Sequence, residues 1–308
     1  MGTLIRKPGL VGVVLLLLGL LWPGVATAQQ GAARPQSVVE LTRVAEDVYM
    51  IRSIGHNALF IVTDDGVIAT DPIGQGNPRF PQLYRAAIAS VTDQPVRYVV
   101  YSHHHPDHIT CGIVFADTAQ FVSQSMAAPK IAALNDPTTP APTITFDDHM
   151  TLELGGKAVE LYYTGRNSTP NTSVLVYPAR RVAFAVDFIP VNSLPFRTFA
   201  DGYPDEWIES LRWIENNLEF DVLVPGHGNL GSMENVRQVR EYFQDLMAAI
   251  RAARAQGFAD NSEEMVAAVR ADLAPKYGNW SNFGPYLLEN IQGVIRSWST
   301  AGVGTGQQ

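Results

Sequence analysis

The sequence predicts an α/β fold closed by a helical tail. Compact β-branched and aromatic runs at 96–101, 182–186 and 222–224 each stop at a polar segment. Segments with helical spacing lie between them, at 81–91 and 204–218. After Ser232 the helical spacing continues without further strand signals. Short apolar runs bounded by polar turns read as buried strands, and the interleaved helical periods read as the layers that cover them.

Each element has its own signal. Residues 48–51 and 58–62 are strand-like, Asp64-Asp65-Gly66 is a hairpin turn, and 67–70 completes the pair. A helix over 81–91 leads to the buried strand 96–101, which runs into Ser102-His103. A helix over 126–134 follows, then strands at 151–154, 159–163, 173–177 and 182–186. In 204–218, Trp207, Ile208, Leu211, Ile214 and Leu218 share one helix face. Strand 222–224 ends at Pro225-Gly226-His227-Gly228. In the tail, Val236, Val239, Phe243, Leu246, Met247 and Ile250 recur at helical spacing, and helices over 262–273 and 283–298 follow.

The 308 residues divide into a signal peptide over 1–28, a strand-and-helix domain over 29–231 and a helical tail over 232–308. Arg6 and Lys7 precede an apolar run at 10–21, and Ala26-Thr27-Ala28 offers small residues for cleavage. That run is short of the roughly 20 residues that span a membrane, so no anchor is expected after cleavage. The expected location is periplasmic or secreted. With 46% hydrophobic and 17% charged residues, a sizeable core is expected and global disorder is excluded. The formal net charge of −8 argues against a general nucleic-acid binder. Cys111 is the one cysteine, so neither a disulfide framework nor a Cys-cluster metal site can form within the chain.

The segment Ser102-His103-His104-His105-Pro106-Asp107-His108 carries the chemistry. It follows a buried strand, where α/β folds place ligand-binding loops. An extended backbone puts His103 and His105 on one side, and Asp107 and His108 follow on the turn. Imidazoles and carboxylates are the ligands of zinc and similar cations. Asp187 and His227 end two other strands, giving a convergent metal set of His103, His105, Asp107, His108, Asp187 and His227. His104 should point the other way. Cys111 reads as a small packed side chain, His56 as a satisfied turn histidine and His149 as an edge histidine.

These motifs, with Asp71 after the early hairpin, make the chain resemble the metallo-β-lactamase-fold hydrolases over about 38–230. The resemblance implies a four-layer αβ/βα sandwich with metals at one edge. It implies one metal on His103, His105 and a third histidine, a second on Asp107, His108 and His227, and Asp187 bridging them. It further implies a metal-held hydroxide, with Asp107 as the catalytic carboxylate that orients the water or accepts its proton.

One position departs from the family pattern. The turn expected to carry the third histidine reads Gly165-Arg166-Asn167-Ser168-Thr169-Pro170-Asn171. Serine is a weak metal ligand. The expectation is therefore one or two zinc ions with the first site weakened, or manganese or iron in its place. Ser168, Asn171 and Arg197 are candidate substrate or water contacts, and Arg166 a candidate anion clamp. The leading function is an exported hydrolase of a small amide, lactone or ester, a β-lactam among them. The alternative is a non-catalytic or accessory metal-binding protein whose first site has decayed. The partner is a small-molecule substrate rather than nucleic acid, and the C-terminal helices are a candidate homodimer surface.

Overall fold

The structure, a computed structural model, describes residues 13–14, 39–74 and 79–303. The signal segment 1–28 lies outside the described residues apart from β1 (Val13–Val14). Among the described residues, no helix is long and apolar enough to cross a membrane. The first sheet runs β1, β2 (Val39–Ala45), β3 (Val48–Ser53), β4 (His56–Val62), β5 (Val67–Thr70), β6 (Val96–Val100), β7 (Gln120–Gln124) and β8 (Ile144–Phe146). It is antiparallel as far as β5 and parallel from β5 to β8. The second sheet holds β9 (His149–Leu154), β10 (Lys157–Tyr163), β11 (Ser173–Tyr177), β12 (Val182–Ala185) and β13 (Val222–Pro225). Only β12 and β13 pair in parallel there.

The helices are α1 (Phe80–Ala89), α2 (Pro106–Ile109), α3 (Ala127–Ala132), α4 (Pro204–Asn217), α5 (Met233–Ala255), α6 (Glu263–Tyr277) and α7 (Phe283–Val303). Proline opens α2 and α4, where its missing N–H costs nothing. Ser232 and Asn235 close a capping box at the start of α5. The face of α4 expected to be apolar is buried at Trp207, Ile208, Leu211 and Ile214, and Leu218 is buried just beyond it.

Three apolar cores separate four layers. On β4, Ala58 and Phe60 face a core shared with Tyr84 and Ile88 of α1, while Leu59 and Ile61 face the opposite sheet. There they meet Leu161 of β10, Leu175 of β11 and Phe184 of β12. Burial on both faces explains why β4 reads as a continuous apolar run instead of an alternating one. The third core joins Val174, Val176 and Ala183 of the second sheet to α4 and to Phe243, Met265, Leu287 and Ile291 of the tail. The two sheets and their flanking helices thus form the expected layered sandwich.

Four strands among the described residues, β1, β2, β7 and β8, have no counterpart among the strands named from the sequence. β7 is rich in glutamine and serine and lies parallel to β6, which supplies the pairing its composition does not advertise. β8 has three residues, too few for a periodic signal.

A charged contact ties the sheets at the end away from the histidines. Asp47, between β2 and β3, accepts from Lys157 Nζ at 2.5 Å, Arg180 Nε at 2.9 Å and Tyr177 OH at 3.1 Å. Burial alone would raise the Asp47 pKa, but Lys157 and Arg180 hold it below the usual carboxylate range. A depressed carboxyl pKa stabilises the fold above the unfolded pKa of about 3.9, and that contribution fades as pH falls through the folded value. Asp47→Ala should therefore cost about 2–3 kcal/mol at pH 7 in urea unfolding. The gap between wild type and variant should close below about pH 4.

Candidate metal centre

The site collects where several strands end. Asp71 follows β5, residues 102–108 follow β6, Asp187 follows β12, and His227 follows β13. The turn between β3 and β4 adds His56, with Ile54 and Gly55 in the left-handed region. Asn57, fully buried, binds the sheets together beneath the site. Its N–H donates to Gly226 O at 2.8 Å, and its Nδ2 donates to Pro225 O and Gly228 O at 2.9 and 3.0 Å. Ser173 of β11 donates through its N–H to Ser102 O at 2.8 Å. These bonds fix two loops from different sheets against each other.

Asp187 stands at the centre. Its Oδ2 lies 3.4 Å from His103 Nε2, and its Oδ1 lies 3.2 Å from His108 Nε2 and 3.1 Å from His227 Nε2. His108 and His227 bring their Nε2 atoms to 3.3 Å of each other. Asp107 Oδ2 is 3.5 Å from His108 Nε2 and 3.3 Å from His56 Nε2. Among the described residues, His103, His108 and Asp187 make one cluster, His56, Asp107, His108 and His227 a second that shares His108, and His104, His105 and Asp201 a third, more exposed group.

The outer ring nitrogens are held from behind. Ser102 Oγ donates to Asp71 Oδ2 at 2.6 Å and lies 2.9 Å from His103 Nδ1. His108 Nδ1 faces Asp71 Oδ2 at 3.6 Å, and His227 Nδ1 lies 3.1 Å from Gly55 O. The Ser102 and Gly55 partners fix the tautomers of His103 and His227 and aim their other nitrogens inward, whereas His108 Nδ1 makes no hydrogen bond among the described residues and has only the charge of Asp71 behind it. Asp71 and Asp187 both have positive φ, at +21° and +69°. That conformation costs of order 1–3 kcal/mol and is kept where surrounding structure imposes it.

The residues fit a cation on two observations. His103 Nε2 and Asp187 Oδ1 are buried and, among the described residues, make no hydrogen bond of acceptable geometry despite their close approach. Three carboxylates, of Asp71, Asp107 and Asp187, also surround the buried His108. Burial would lower the His108 pKa, but Asp187 and Asp71 push it up to about 9. Burial pulls His103 down to about 4, leaving it a neutral ligand. Burial raises Asp71 to about 6. Burial opposes ionisation of Asp107, yet the His56 hydrogen bond and His108 hold its carboxyl well below the usual range. The mouth therefore demands positive charge, which a divalent cation supplies when it displaces the proton.

Several expected residues fall elsewhere. His105 has its ring 4.5 Å from that of His103, but its Nε2 pairs with Asp201 Oδ2 at 3.0 Å. The reading that put the His103 and His105 imidazoles on one side of the loop missed Asp201, 96 residues away with no motif around it. His56 joins the metal cluster instead of serving only its turn, because the antiparallel bridge to His227 brings the two rings to 4.3 Å. Its place in a hairpin at the strand mouth was the available signal. Ser168 Oγ reaches Asn167 Oδ1 at 3.3 Å. Asn171 is buried, with Oδ1 3.0 Å from His104 Nδ1 and, among the described residues, no hydrogen-bond partner for Nδ2. Arg197 turns toward the tail, 3.5 Å from Glu289 and over the rings of Phe196 and Tyr286. Arg166 is taken by Glu206 and stacks over Tyr203. His149 pairs with Glu160 on the sheet edge.

Gly226 shows how tightly the centre is packed. A Cβ there would sit 2.9 Å from Asp187 Oδ1 and 3.1 Å from His108 Cε1. Gly226→Ala should displace the Asp187 carboxylate and lower metal affinity by about 10-fold or more, as displaced metal-orienting groups do. Chelator competition with zinc on the folded variant measures the change.

The sequence profile of the metallo-beta-lactamase superfamily matches residues 52–227, more than half of the chain. The chain is 29% identical over 172 residues to a 2,4-dinitroanisole O-demethylase subunit alpha of Nocardioides sp. (strain JS1661), covering 55% of this chain and 51% of that protein. It is 25% identical over 256 residues to a linear primary-alkylsulfatase of Pseudomonas sp. (strain ATCC 19151), covering 66% and 47% respectively. The chain thus spans about half the length of the curated relatives it matches. A metallo-beta-lactamase from Pontibacter korlensis shares the fold, with a TM-score of 0.57 and 20% identity over 67% of this chain and 99% of that one. The matched span runs from the β3–β4 hairpin to His227 and so contains every side chain of the candidate ligand clusters, and the chain belongs to the metallo-beta-lactamase superfamily.

Proposed function

We propose that the protein is an exported, zinc-dependent hydrolase of a small ester-type substrate. The observation that carries this reading is the convergence of His103, His108, His227, Asp107 and Asp187 around buried, unpartnered ligand atoms. Export rests on the sequence of residues 1–28. The substrate class rests on the relatives. Both are named for acting at an oxygen-linked group, an O-methyl in one and an alkyl sulfate in the other. That favours an ester, lactone or sulfate ester over the amide of a β-lactam.

A bound cation would supply Lewis-acid charge and a water of lowered pKa. His103 and Asp187 would hold it on one side, and Asp107, His108 and His227 on the other. Asp107 takes the proton of the attacking water. Its side chain reaches solvent at the mouth, it stays ionised, and His56 at 3.3 Å fixes its direction. Asp71, behind the ring nitrogens, keeps His103 and His108 aimed inward through Ser102 and by direct approach.

A hydrolysis panel tests the reading. Protein supplied with zinc, manganese or iron should turn over an aryl ester, lactone or alkyl sulfate, and Asp187→Ala should lose about 100-fold or more. Metal-loaded protein with no turnover on any substrate would leave an accessory metal-binding role. Turnover of a β-lactam or phosphodiester alone would overturn the substrate class. In the same assay Ser168→His should raise the metal bound per chain, because an imidazole on the 165–171 turn is a far better ligand than a hydroxyl.

A further inference from the structure

The loop from Asp187 to α4 does more than connect. It runs along the tail and returns to the centre at Asp201, whose Oδ2 lies 3.0 Å from His105 Nε2 and 3.6 Å from His104 Nε2. The four histidines of the two clusters that share His108 (His56, His103, His108 and His227) each have one ring nitrogen approached from behind, by Ile54, Ser102, Asp71 and Gly55 respectively. Asp201 takes the Nε2 side of His105, whose ring lies 4.5 Å from that of His103, so Nδ1 is the ring nitrogen left for a cation.

This loop is anchored on two sides. Tyr203 N–H donates to Asn167 O at 2.9 Å, which seats Asp201 on the same turn where Ser168 replaces the expected histidine. On the other side, α7 holds the preceding residues. Asn290 Nδ2 donates to Pro195 O and Arg197 O at 3.0 and 2.7 Å. Arg296 donates to the carbonyls of Thr198 and Phe199. Gly293 lets the loop close onto α7, since a Cβ there would strike the Phe199 ring. Phe199 itself is buried against Trp207 and Phe243. Asp201, Arg166 and Arg296 line one cavity of about 490 Å³, so tail, loop and turn meet around a single space beside His105.

We propose that Asp201 is the positioning carboxylate of His105, and that α7 holds it in place, so the helical tail acts on the metal centre. The inference rests on the reading of this site as a metal centre. A carboxylate behind a ligating imidazole raises its basicity and fixes its orientation. Both effects count for more at a site that lacks its third histidine. His105 then contributes to the cation on the His103 side without a neighbouring imidazole from the 165–171 turn.

The test measures zinc affinity by chelator competition and the absorption spectrum of the cobalt-substituted protein. Asp201→Ala should weaken zinc binding about 10- to 100-fold and shift the cobalt bands. Asp201→Glu should recover part of the loss. Arg296→Met should show a smaller loss, and the double variant Asp201→Ala/Arg296→Met should be no weaker than Asp201→Ala alone, because both act through one contact. Thermal unfolding of the metal-free variants checks that the fold survives. Wild-type affinity and spectrum in Asp201→Ala would overturn the proposal, as would additive losses in the double variant. Tight zinc binding by the wild type without hydrolysis would defeat the enzyme reading and leave this one standing. Failure of the wild type to bind zinc or cobalt at all would overturn both.

Discussion

Negative charge held at a buried mouth governs this molecule. Asp71 is fully buried, and Asp187 sits against three imidazoles. An isolated buried carboxylate is costly, so each must be matched by a proton, a cation or a set of donors. In the metal-free protein His108 carries that proton between Asp71 and Asp187. A divalent ion meets the same demand with more charge and releases the histidine as a ligand. The left-handed backbone at Asp71 and Asp187 is tolerated because the surrounding loops leave those carboxylates nowhere else to go.

Those loops are held by bonds that cross between the two sheets. Asn57 binds the β3–β4 hairpin to the turn after β13, and Ser173 binds β11 to the loop after β6. Both contacts cross from one sheet to the other at the metal end, while Asp47 with Lys157 and Arg180 does so at the far end. The two layers are therefore pinned at both ends, and the ligands move only if the sandwich moves. Rigid support of this kind suits a site whose ligand atoms approach within about 3 Å, since a metal tolerates little error in donor position.

Much of the fold and part of the site could be read from the residues alone. Strands such as Val67–Thr70 and Ser173–Tyr177 announce themselves because strands buried on both faces are mainly apolar. The histidine loop announces itself because several ligands sit in seven consecutive positions. His56 and Asp201 do not, since each enters the centre through a long-range contact and carries no local motif. The Asn57 bonds explain His56, by bringing the hairpin to the turn before His227. The grip of α7 on the loop explains Asp201. Arg197 misleads for the converse reason: an exposed arginine close to a site in sequence turns to the nearest acid and rings, which here belong to the tail.

The shared core between the second sheet and the tail bears on how the chain acquires its structure. The core beneath α1 is built from residues 41–131 and can close once that stretch exists. The core that supports Asp187 and the loop to Asp201 joins Val174 to Ile295, so it stays open until α7 is made. Domains fold as units and a chain emerges N-terminal end first, so the first sheet has an interval in which to form alone. Its inner face, with Leu59, Ile61 and Val100, is uncovered for that time. Maturation of the centre is thus a late event in the life of each chain, timed by its last helix.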